Sequence, residues 1–481
     1  MPLSAIDWLS ESVATDPSTP IAPPIELFAK PPHDVTVAAL DGALPDLAGM
    51  LDAADIGVSP RLWGRSSAAD LSRALSVMPM SGPPSLRRLK SDLMVARLDA
   101  PIDAAGDDAL FLARVDKLLE AGHLDRAAAL LDLVGVNEPQ RFRRWFDIAL
   151  LRGTEDTACD QLEAIPELSP TYPARIFCLA RNGEWDVAAL TLGNAEALNI
   201  LSPYEDQVFL HFLEPEVGEE QELPPFANPT PLFYRIYEAV GERPETHTLP
   251  VAFAHADLSD RVGWKTRLRG AERLAASGAL SGGALIALMQ EHGAAASGGV
   301  WERVDALSDL SDEVEAGRIR AATLSRGWGA AREGGYRAAI AEWIAPTLST
   351  LDTANVTSRA AFEAAVFVDD PALAARFVTD DADRLVVSLL SGGPAVGAPQ
   401  SGLGRAVVAG LSPGPLPESA ALLIDDARGG EALIAALTHL SDGAAGDPAA
   451  VERALRTLVH LGATDAARRI GAELLLEGGE A

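Results

Sequence analysis

The chain has 481 residues, 48% of them apolar and 5% aromatic, and carries a formal net charge of −30. That length exceeds what one hydrophobic core serves, so two or more compact units or one extended repeat array are expected. So acidic a surface repels phosphate backbones and anionic headgroups, which argues against nucleic acid and membrane-surface partners and favours a basic protein.

Only four lysines occur, Lys30, Lys90, Lys117 and Lys265, against abundant Arg, Ala and Gly. That mixture suits closely packed helices and is habitual in high-GC bacterial genomes. No apolar run is long enough for a membrane span. Residues 1–35 hold seven prolines (Pro2, Pro17, Pro20, Pro23, Pro24, Pro31, Pro32) and are expected to form a flexible tail. They begin MPLSAIDWLSES, with neither a basic n-region nor an apolar h-region, so no secretion signal is expected in the chain as written. Residues 36–105 read as short helices broken by Pro and Gly.

Residues 106–214 carry the most informative signal, an internal repeat. The segments LLEAGHLDRAAALL (118–131), ALLRGTEDTACDQL (149–162) and LARNGEWDVAALTL (179–192) each place Gly, then Asp three later, then Ala five later. The positions are Gly122/Asp125/Ala127, Gly153/Asp156/Ala158 and Gly183/Asp186/Ala188, with glycines 31 and 30 residues apart. The Gly ends one helix in a left-handed conformation. The Asp starts the next, where a carboxylate caps free N–H groups and complements the dipole. The Ala allows two helices to cross closely.

An acidic, Pro-rich loop is expected over 215–231, and helices over 232–390. There Trp301, Val304, Leu307, Leu310 and Val314 form one apolar stripe, and Gly278, Gly293 and Gly317 read as helix ends. A Gly/Pro-rich break covers 391–404. Residues 405–481 read as helical hairpins, closing on a related block at Gly462/Asp465/Ala467; a looser one lies at Gly334/Ala339.

The repeat resembles the tetratricopeptide (TPR) family. A large ring lies eleven residues before each Gly (Phe111, Phe142, Tyr172), and a Leu nine after it (Leu131, Leu162, Leu192). A proline seventeen after it is matched at Pro139 and Pro170 but not at Ile200, with Pro203 displaced. The unit is shorter than the family's usual length of about 34 residues. The resemblance covers about 100 residues and implies an α-solenoid with a groove for peptides or partner proteins. In composition and repeat style the chain also looks like periplasmic helical proteins of alphaproteobacteria, some of which serve flagellar motors.

The two cysteines, Cys159 and Cys178, lie about equally far from the turn near Leu168–Ser169. Antiparallel helices folding about that turn put them at one level, within disulfide reach. The alternative is two separate buried thiols. A disulfide implies export, which agrees with the missing signal if one preceded residue 1.

Candidate chemistry is sparse. No Walker loop, GxSxG, CxxC or HExxH occurs. His247, His255, Asp257 and Asp260 cluster in sequence, but His255 and Asp257 diverge on a helix, so capping and surface roles are expected over metal binding. SGGALIALMQ (281–290) shares a Ser and a Leu-Met-Gln with lytic transglycosylases, yet lacks their following catalytic pattern and reads as a buried helix. In RFRRWF (141–146) the spacing of Phe142, Trp145, Phe146 and Ala149 is that of a core face, leaving Arg141 and Arg144 on a solvated one. The acidic run Glu214–Glu222 has no calcium-loop spacing.

The reading is therefore a non-enzymatic, all-α repeat scaffold in the periplasm, without cofactor or metal, binding other proteins for an envelope machine. A peptidoglycan-cleaving envelope enzyme and a cytoplasmic TPR-like adaptor are the alternatives.

Overall fold

The computed structural model describes residues 44–478 apart from 105–107, 170, 215, 217–221, 295–297, 397–398, 400 and 444–445. The tail of 1–35 lies outside the described residues, as do parts of the 215–231 loop and the 391–404 break. The fold is all-α. Among the described residues the strands are β1 (Leu51–Asp52) and β2 (Ala96–Arg97), a parallel pair only two residues long.

Contacts divide the chain into two compact units. Of the described residues, the first holds 44–45, 134–150 and 154–244, and the second 46–133, 151–153 and 245–478. These boundaries differ from the serial segments read from the sequence, because the repeats of 106–214 divide between the units and 46–133 groups with the C-terminal half.

In chain order the second unit begins with α1 (Ala68–Val77), α2 (Pro84–Met94), α3 (Ala109–Glu120) and α4 (Leu124–Val134). The first unit is built from α5 (Pro139–Arg152, all but its last two residues), α6 (Glu155–Ala164), α7 (Tyr172–Arg181), α8 (Trp185–Ala197), α9 (Pro203–Leu213) and α10 (Pro231–Ala239). The second unit resumes with α11 (Trp264–Ser277), α12 (Gly282–Met289), α13 (Val300–Glu315), α14 (Ala321–Glu333), α15 (Arg337–Thr350), α16 (Arg359–Phe367) and α17 (Asp381–Leu390). It ends with α18 (Gly402–Leu411), α19 (Glu418–Asp425), α20 (Gly429–Gly443), α21 (Pro448–His460) and α22 (Thr464–Glu477).

The first unit packs around rings. Phe142, Phe146, Phe177, Phe209 and Phe233 are buried in one cluster, with Phe209 and Phe233 edge to face at 6.2 Å. Its helix starts are well signalled. Ser202 and Glu205 form a capping box at α9, and Thr230 accepts from the Phe233 N–H beside Pro231 at α10.

The second unit also buries rings, among them Trp63, Phe111 and Tyr336, and brings some of its helices together through small residues. A Cβ at Gly410 would lie 2.8 Å from the Glu452 carbonyl oxygen, so α18 and α21 touch almost backbone to backbone. Buried cations hold its loops. Arg114 donates to the carbonyls of Met94, Asp46, Ala48 and Ala96. Lys90 donates to those of Pro79 and Ser81 and to the Ser441 hydroxyl. Lys117 donates to those of Ser76 and Met78 and pairs with Glu120. Each replaces the water its charge loses with several fixed oxygens.

One contact closes this unit. Helix α2 starts at Pro83–Pro84 with no side-chain cap of its own. Glu473 of α22, 388 residues away, supplies one: it accepts from the Ser85 N–H at 2.8 Å and the Ser85 hydroxyl at 2.6 Å. A one-dimensional stack confines contacts to neighbouring hairpins. The second unit, in which its second helix bonds to its last, departs from that.

Candidate functional site

The repeat residues occupy the turns their types require. Gly122, Gly153 and Gly183 have φ of +79°, +74° and +85°, and Gly462 has +98°, so each adopts the left-handed backbone that a Cβ disfavours. In the looser block it is Gly335, not Gly334, that does so, with φ of +77°; the register there is one residue later than read. Ala127, Ala158 and Ala188 are fully buried.

The aspartates differ from expectation. Neither α6 nor α8 has a side-chain cap. Instead Asp125 pairs with Arg152, and Asp156 accepts from Arg181 Nε at 3.0 Å. In both cases the carboxylate starting one helix bonds the arginine ending the first helix of the following repeat. A guanidinium offers paired donors to a carboxylate, which outcompetes a single backbone N–H.

The cysteines meet. Cys159 on α6 and Cys178 on α7 are joined as a disulfide with Cα atoms 5.0 Å apart. Both lie in the aromatic core of the first unit, so the bond pins adjacent helices of two successive hairpins.

Helix α8 follows directly. Its Ala188 and Ala195 face the core, and Trp185 packs on Phe212 with ring centroids 5.9 Å apart. Yet Val187 and Leu190, with Leu198 at the C-terminal cap, recur at three and eight residues with Asn194 between them, which places them on another side of the helix. They are 47%, 66% and 65% exposed, and Ile200 just beyond is 47% exposed. A helix apolar on more than one side is ordinarily buried all round; this one is bare along a stripe.

Its surroundings are strongly anionic. Residues 154–213 carry ten Asp or Glu against two Arg, so a cation approaching the stripe is attracted. Burial, with Glu196 and Glu205 nearby, raises the Asp206 carboxyl above its ordinary pKa. Across the same core Tyr237 donates to the Pro224 carbonyl at 2.6 Å and lies 3.2 Å from the Tyr204 hydroxyl. Burial and that neighbour raise its pKa, which keeps the phenol neutral.

The other sequence candidates do not converge. His255 Nε2 donates to the Gly122 carbonyl at 2.7 Å, Asp257 accepts from Thr246, His247 pairs with Glu245 at 2.9 Å, and Asp260 pairs with Arg267 at 3.4 Å. Among the described residues no His/Cys/Asp/Glu group is arranged to hold a metal ion. In 281–290, Leu285, Ile286, Leu288 and Met289 are buried, and Gln290 donates to Ser311 at 2.9 Å. Phe142 and Phe146 are core residues, but Arg144 is not on a solvated face. It is 6% exposed and donates to the Gln140 carbonyl at 3.0 Å, and Arg143 is buried beside it. Arg141 is half-buried. Most of the acidic run 214–222 lies outside the described residues.

The bare stripe is not among the residues that the repeat pattern singles out, which are Gly183, Asp186, Ala188 and Leu192. The signal was present: Val187, Leu190 and Leu198 do not fall on the side set by Ala188 and Ala195. No protein-family model, curated protein or solved structure matches this chain.

Proposed function

We propose that this chain is a non-enzymatic helical-repeat scaffold, TPR-like around its disulfide, that binds a basic protein partner. The observation that carries the reading is the bare apolar stripe of α8. Exposed apolar surface costs about 25 cal/mol per Å2 relative to burial, and a contiguous patch of it marks an interaction surface. The acidic setting specifies the rim of the partner: apolar at its centre and cationic around it.

The disulfide supports an oxidising compartment, which in a bacterium is the periplasm. An accessory to an envelope machine, a flagellar motor among them, fits such a scaffold by its repeat architecture alone.

Two experiments test the reading. The first is capture from the native envelope with wild-type chain and with Leu190→Glu. A specific partner retained at low salt, weakened at high salt, and lost in the variant is expected, with stability changed by less than about 0.5 kcal/mol because Leu190 is exposed. Capture that Leu190→Glu and Leu198→Glu both leave intact removes α8 as the interface. The second is thiol titration of denatured, unreduced protein from its native host. Two free thiols there would place the chain in a reducing compartment and end the periplasmic reading.

A further inference from the structure

The second unit holds a partly open cavity of about 210 Å3 between the start of α2, the turn before α4, the end of α11 and the turn into α15. That is room for roughly seven waters at liquid density. Two of its arginines are neutralised. Arg88 pairs with Glu342 at 3.0 Å, half-exposed at the edge, and Arg126 pairs with Asp92 at 2.6 Å.

Arg87 is different. Its Nη1 and Nη2 donate to the carbonyls of Gly82 at 2.5 Å and Ala276 at 2.8 Å. Among the described residues it forms no ion pair. Burial lowers its pKa, and the more distant Glu473 and Glu477 offset this only in part. Glu473, also in the lining, uses both oxygens on Ser85 rather than on Arg87.

The remaining polar groups are neutral. Burial, then the neighbouring Arg126 and His255, push the His123 imidazole down to about 4, so it carries no charge at neutral pH. The Ser91 and Ser281 hydroxyls accept from Arg126 and from the Ala284 N–H, which leaves each hydroxyl proton to donate.

We infer that this cavity binds a small oxyanion, a carboxylate or a phosphate, with the Arg87 guanidinium as its counter-charge and the serine hydroxyls as further donors. Guanidinium pairs with these two anions through charge-assisted bonds. In a chain of net charge −30 a cavity lined by three guanidiniums (Arg87, Arg88, Arg126) against the two carboxyls of Glu342 and Glu473 runs against the general field, so an anion entering it gains what the rest of the surface denies. This inference does not depend on the stripe of α8.

The test is calorimetric titration of the full chain with sodium phosphate, succinate and acetate, at an ionic strength fixed with sodium chloride. Saturable one-to-one binding of at least one probe is expected, with Kd raised tenfold or more in Arg87→Gln. Ala338→Leu, which fills the cavity from α15 without touching a charge, is expected to weaken binding as much, and decides the question if Arg87→Gln does not fold. Phosphate binding tighter than succinate assigns an inorganic anion or phosphoryl group, and the reverse order an organic acid. Absence of saturable binding by all three probes, or binding that Ala338→Leu leaves unchanged, overturns the inference.

Discussion

The two units solve the same problem, holding helices together, by opposite means. The first is short-range: successive hairpins, an aromatic core and one covalent bond between α6 and α7. The second is long-range: Ser85 to Glu473, Lys90 to Ser441 and Arg337 to Glu477 at 3.4 Å join residues far apart in sequence. A core of local contacts leaves surface over, and α8 is where it is left. A core closed by distant polar contacts must bury charges, and a lined cavity is the by-product.

The contrast can be broken at its strongest points first. Arg114→Leu orphans four carbonyls around a fully buried position, and a loss of about 3–5 kcal/mol is expected. Hydrogen exchange should rise across α2 and α3 while α6 and α7 stay protected.

Replacing Cys159 and Cys178 together by Ala should do the converse. A cross-link closing a loop of this length is worth about 3 kcal/mol, and the loss of protection should be confined to the first unit. Loss of protection in α21 and α22 instead would show that the units are not independent.

A third prediction is a pH effect. Burial, opposed by the two Ser85 bonds, pushes Glu473 up to about 7 from an ordinary 4.5. The folded chain therefore binds the extra proton between those values, and stability is fullest below 4.5 and falls as pH rises toward 7. Glu473→Gln removes this slope, so its advantage over the wild type grows to about 3 kcal/mol by pH 8, before any loss of hydrogen-bond strength. Denaturant unfolding at pH 5 and pH 8 measures it; parallel curves for both proteins would show that the carboxyl is not strained by burial.

The smallest effect belongs to the repeat ion pair. Asp156 is largely exposed opposite Arg181, and Asp156→Asn should cost less than about 1 kcal/mol and less still at high salt. A larger loss would mean the pair sets the angle between hairpins rather than decorating it.

Much of the first unit was legible in the sequence. Gly183 fixes its turn because only a left-handed residue fits there, and the equal distances of Cys159 and Cys178 from one turn follow from helical rise. The second unit, apart from its turns at Gly122, Gly153 and Gly462, was legible only as helices. A bond between residues 85 and 473 leaves no period to detect, and Glu473 sits in the run GAELLLE like any surface carboxylate. Arg144 was misplaced for a related reason: a charged side chain reads as solvated until its carbonyl partner is seen. The Asp positions were found, but their arginine partners lie 25 and 27 residues on, beyond any capping pattern.

The buried lysines have a further consequence. Lys90 and Lys117 are committed to the interior, so among the described residues Lys265 is the one exposed primary amine on a side chain. Acylating enzymes and amine-directed cross-linkers meet an almost blank surface. A contact map taken through lysine would miss α8 altogether, and footprinting through the abundant carboxylates is the chemistry suited to this molecule.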